Sequence, residues 1–106
     1  MIKPQISLPK DKIDTFCKTY CIKELALFGS VLTNRFSETS DIDVLVEFEP
    51  AHVPGFFGLL TMEDELHAIL GRKTDMHTPK DLSRYFRSEV LKTAYPLYGQ
   101  GQFSSS

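Results

Sequence analysis

Apolar residues recur along the chain in two alternating rhythms. In residues 9–21, PKDKIDTFCKTYC, the residues Ile13, Phe16, Cys17 and Tyr20 fall at helical spacing behind an early proline, which predicts an amphipathic first helix packed on a sheet. IKELALF, residues 22–28, is short, apolar and halted by Gly29, so its second half predicts a strand. GSVLTNRF then reads as a tight turn opening a short helix. DIDVLVEF, residues 41–48, is the strongest strand signal: past its two aspartates both faces are apolar, as in a central strand covered on both sides. The loop EPAHVPGFFG leads to a predicted helix, LLTMEDELHAILG, ending at Gly71. Leu59, Met62, Leu66, Ile69 and Leu70 are expected to face inward and the charges of MEDELH to form its solvated face. RKTDMHT predicts a further strand stopped by Pro79. LSRYFRSEVLKTAY predicts a last helix, with Leu82, Tyr85, Phe86, Val90, Leu91 and Ala94 on its apolar side. The tail GQGQFSSS has too little to bury and is expected to be disordered.

Length changes this picture by limiting it. With 106 residues, the chain is expected to form one domain, residues 1–98, with a disordered tail at 99–106 and no second domain around a large substrate. An apolar share of 42% and a charged share of 25% suit a soluble globular protein, and no apolar run approaches bilayer length. The first residues lack the pattern of a secretory signal, which predicts a cytoplasmic protein with reduced thiols. Cys17 and Cys21 lie four apart with no Cys or His cluster to complete a tetrahedral metal set, and read as structural thiols. The net charge of −2 lacks the basic excess that nucleic-acid binding requires.

The chemistry concentrates where the strongest strand begins. In a strand, Asp41 and Asp43 point to the same face about 7 Å apart, with Ile42 directed to the other layer. Carboxylates at the edge of a buried sheet are costly without positive charge beside them, and Mg²⁺ relieves that cost while drawing its remaining ligands from water and phosphate. Asp75, in the RKTDMHT strand, is the candidate third carboxylate if the two strands are neighbours. A glycine at a strand-to-helix turn lets backbone N–H groups approach a phosphate, so Gly29 and Ser30 are candidates to hold a triphosphate. His77 and Lys73 share the expected face of Asp75, whereas His52 lies in a loop and His67 within a helix. Phe56, Phe57, Tyr85 and Phe86 are candidates for the core, a partner interface or a nucleotide base.

Gly-Ser, ten residues, Asp-x-Asp leading into a buried strand, and a later strand aspartate make a pattern that resembles the nucleotidyltransferase superfamily with the DNA polymerase β-like palm, and within it the minimal nucleotidyltransferases. The similarity runs from about Ile22 to Tyr98 and includes PGFFGLLTMEDEL, LGRKTDMHTPKDLSRYF and VLKTAYPLY. It implies an α/β (α+β) fold with a mixed β-sheet and helices packed against it. It also implies two Mg²⁺ ions on Asp41 and Asp43, with Asp75 on the catalytic ion and helping to deprotonate the acceptor hydroxyl. Gly29 and Ser30 would hold the triphosphate of ATP. Many relatives carry an arginine soon after Gly-Ser; this chain has Thr33 there, and Arg35 is the candidate substitute. Minimal members often pair with a HEPN-domain ribonuclease toxin and act as its antitoxin by transferring AMP from ATP to a tyrosine. The alternatives are an antitoxin that acts by binding alone, or a nucleotidyltransferase acting on a small molecule or an RNA end.

Overall fold

A computed structural model describes residues 6, 8–33, 37, 40–100 and 103. Helix α1, Lys10–Thr19, runs into strand β1, Ile22–Phe28, which ends in a 3₁₀ turn at Gly29–Leu32. Strand β2, Ile42–Phe48, is followed by helix α2, Phe56–Leu70, and strand β3, Thr74–His77. Helix α3, Arg84–Thr93, and strand β4, Tyr95–Tyr98, complete the order. The sheet is mixed, in the order β3-β2-β1-β4, with β1 antiparallel to β2 and β4, and β2 parallel to β3.

Alternation along the strands builds two layers. Ile42, Val44 and Val46 of β2 join Leu25 and Leu27 of β1 in the larger core, which Ile13, Phe16 and Cys17 of α1 and Met62, Leu66 and Leu70 of α2 close. Burial pushes the Cys17 thiol up to about 12, with Asp14 adding to the effect, so it remains a protonated packing group. The other face carries a smaller cluster, Phe28, Leu45, Leu82 and Val90, under α3. Both central strands are thus covered on both sides, as the apolar run of β2 requires.

Several expectations are corrected. All seven residues of IKELALF are strand, because β1 lies between two partners and even its polar Glu24 is buried. Residues 95–98, assigned to the last helix and the stretch after it, form β4; Pro96 there interrupts only an edge strand. Tyr85 and Phe86, expected on the buried side of that helix, are 91% and 46% exposed, because only the Val90 side of α3 reaches the sheet. Beyond β4, the Gln100 amide donates to Glu24 Oε1 at 3.1 Å. Gly99 adopts φ +87°, and a Cβ there would run into the Glu24 carboxylate. Among the described residues, no helix is long and apolar enough to cross a membrane.

Candidate active site

The sheet brings the carboxylates together where β1 ends and β2 and β3 begin. Asp43 and Asp75 are register partners on the parallel strands, so the adjacency inferred for RKTDMHT holds. Asp41 immediately precedes β2, and its Oδ2 lies 3.9 Å from Lys73 Nζ. Phe28, the last residue of β1, is the cross-strand partner of Asp43, which places Gly29 directly against the carboxylate. Gly29 has φ +80°, and a Cβ there would sit 2.7 Å from Asp43 Oδ2. Only glycine meets both conditions.

His77 Nε2 lies 3.6 Å from Asp43 Oδ1, and its ring packs edge-on to Phe28 at 5.5 Å between centroids. Loss of hydration holds the Asp43 carboxyl above the usual carboxylate range; His77 opposes the shift, and Asp75 and Asp41 add to it. Among the described residues three carboxylates stand against Lys73 and His77, and the carboxylate donors are hard oxygens of the kind Mg²⁺ takes. Among the described residues, no three His, Cys, Asp or Glu side chains converge closely enough to enclose a metal by themselves.

Ser30 lies in the 3₁₀ turn, where its carbonyl accepts from both the amide and the hydroxyl of Thr33, each at 2.9 Å. Thr33, expected to stand in place of the family arginine, therefore clasps the turn. Arg35 lies outside the described residues.

Two supporting residues escaped the sequence reading. Arg72 Nη2 donates to the carbonyls of Ser37, at 2.6 Å, and Ser40, at 2.8 Å, fixing the chain just before Asp41. Nothing local marks it, because its partners lie more than thirty positions away. Glu63, expected on the solvated face of MEDELH, instead accepts from the Met76 amide at 2.7 Å. Among the described residues the outer side of β3 has no neighbouring strand, and the α2 carboxylate satisfies an edge amide that a strand would otherwise pair.

A family model described as "Nucleotidyltransferase domain" matches residues 10–97. A Methanocaldococcus jannaschii relative, provisionally named a protein adenylyltransferase, is 41% identical over 63 residues, which are 59% of this chain and 63% of the relative. The chain thus spans less than two thirds of that relative's length. The protein adenylyltransferase MntA of Thermococcus cleftensis is 31% identical over 71 residues, covering 67% of this chain and 70% of that protein. A solved complex of a tri-AMPylated Shewanella oneidensis HEPN toxin with its MNT antitoxin superposes with a TM-score of 0.61 at 19% identity, over 86% of this chain and 70% of that one, and so shares the fold.

Proposed function

We propose, from the premise that the chain belongs to the nucleotidyltransferase domain family, that it transfers AMP from ATP to a hydroxyl of a partner protein, a tyrosine of a HEPN-type ribonuclease toxin, and thereby acts as its antitoxin. The observation that carries the chemistry is the in-register pairing of Asp43 with Asp75 beside the open backbone of Gly29. The protein adenylyltransferase names of its relatives and the AMP-bearing toxin complex of its structural neighbour support the acceptor class.

The donor chemistry fits Mg²⁺: Asp41, Asp43 and Asp75 offer hard carboxylate oxygens, and Asp43, raised by dehydration and like charge, lies against Gly29. Asp41, Asp43 and Asp75 would hold it, and when bound it neutralises the triphosphate and lowers the pKa of the acceptor hydroxyl. Gly29 and Ser30 lie against the phosphates, where the turn lets main-chain groups approach closely, and Arg35 is the candidate for a further phosphate contact. Asp75 accepts the proton of the acceptor hydroxyl, whose oxygen forms the new bond to the α-phosphorus. The bond from that phosphorus to the bridging oxygen breaks, and pyrophosphate leaves. The partner supplies the wall that presents this hydroxyl.

The test is intact-mass spectrometry of the co-expressed toxin after incubation with this chain, ATP and Mg²⁺. A gain of one or more AMP groups with the native chain, absent with an Asp41→Asn, Asp43→Asn variant that still binds the toxin, is the expected result. A stable complex with no mass gain from the native chain would replace transfer by neutralisation through contact alone.

A further inference from the structure

His77 stands outside the three carboxylates assigned to the metal, yet the fold sets it among them. Alternation along β3 turns Asp75 and His77 to one face, and in register His77 lies beside Leu45, one pleat beyond Asp43. Its Nε2 comes within 3.6 Å of Asp43 Oδ1. We propose that His77 is a nitrogen ligand of the metal at Asp43 and makes this site prefer a first-row transition ion to Mg²⁺. The assignment rests on the nucleotidyltransferase reading and deepens it by naming the class of divalent ion that the site selects.

The division of Asp43 between its two oxygens carries the proposal. Oδ2 faces Gly29, where a Cβ would lie 2.7 Å away, and Oδ1 faces the imidazole. Donors each about 2.1 Å from one ion stand about 3.0 Å apart at right angles and about 4.2 Å apart across it. The 3.6 Å between Oδ1 and Nε2 falls between those limits, and it is too long for a hydrogen bond that would use up either atom. Packing aims the ring: it stands edge-on to Phe28, with 5.5 Å between centroids, and Phe28 is itself buried as the cross-strand partner of Asp43. The His77 side chain is 36% exposed, so water and a phosphate oxygen have access to the pair and complete the set of ligands. Mg²⁺ takes oxygen ligands, whereas imidazole suits the transition ions. An imidazole beside Asp43 thus adds affinity for a transition ion and none for Mg²⁺.

Mn²⁺ is the probe, because it shares the carboxylate and phosphate preference of Mg²⁺ and a difference between the two ions reports the nitrogen. Preformed complexes of Mn²⁺ or Mg²⁺ with inorganic tripolyphosphate, which carries no nitrogen, are titrated calorimetrically into the full native chain and into His77→Gln. The substitution should weaken the Mn²⁺ complex about tenfold, the low end of what losing a partner around a bound metal costs, and leave the Mg²⁺ complex unchanged. Pulsed electron paramagnetic resonance of the native Mn²⁺ complex needs no variant. It should show the nitrogen coupling of a bound imidazole, altered when the histidine nitrogens are isotopically replaced. Absence of that coupling in a bound complex overturns the proposal, and if His77→Gln then weakens both ions equally, His77 only orients Asp43. If neither complex binds the native chain, the nucleotidyltransferase reading fails and this assignment fails with it.

Discussion

Asp43 is the residue at which fold and chemistry compete most directly. Dehydration and its carboxylate neighbours raise its carboxyl above the usual range, so the folded chain binds that proton more tightly than the unfolded chain does. The sign follows: without metal, stability is greatest at acid pH below the ordinary aspartate range and declines as pH rises through the raised value. Thermal melts across that range in chelator should show this slope, and Asp43→Asn should flatten it. Mg²⁺ should raise the native melting temperature at neutral pH and leave the variant unmoved. Gly29 lies against the same carboxylate. Gly29→Ala forces a methyl group toward Asp43 Oδ2 at a left-handed φ, and should cost about 1–2 kcal/mol by denaturant midpoint with a loss of transfer larger than the loss of folded protein.

At the scale of elements, the site depends on a junction rather than on any one strand. β2 and β3 are parallel and cannot be joined by a hairpin, so α2 makes the crossover and the start of β3 reaches Asp43 only through that helix. Arg72 then ties the α2–β3 junction to the chain entering β2, by its two bonds to Ser37 and Ser40. Arg72→Ala should cost about 1 kcal/mol of stability and, by loosening the approach to Asp41, weaken Mg²⁺ binding more than it weakens toxin binding. Calorimetry with each ligand separates the two effects, and Arg72→Lys should recover part of the loss because one ammonium can still bridge both carbonyls.

At the scale of the whole molecule, α1 and α2 close one face of the sheet while, among the described residues, α3, short turns and Phe103 lie over Phe28 and Leu45 on the other. The carboxylates lie on that second face, by the same alternation that places Leu45 there. The far edge is secured by β4 and by the Gln100 amide on the buried Glu24. Gln100→Pro removes the amide that is one of the partners of that carboxylate and should cost about 1–3 kcal/mol in a chemical denaturation series. Transfer per folded molecule should stay unchanged, because Glu24 is remote in register from Asp43.

The sequence alone determined most of the elements and the chemistry they carry. Apolar spacing placed α1, β2, α2 and β3 because each buries a continuous stripe, and Gly29-Ser30 with Asp41, Asp43 and Asp75 marked the nucleotidyltransferase pattern because glycine and paired carboxylates at a strand entry are costly anywhere else. What tertiary structure decided is what depends on distant partners. β4 is a strand because β1 offers it an edge, although its own residues include a proline. Glu63 and Arg72 look like ordinary charged surface residues until β3 and the Ser37–Ser40 segment come within hydrogen-bonding distance. Phe86 carries an apolar side chain that the helical period directs inward. It stands half exposed because α3 touches the sheet through Val90 and leaves a cleft beside it. Local pattern records what a residue prefers, and only the packed chain settles which neighbour satisfies it.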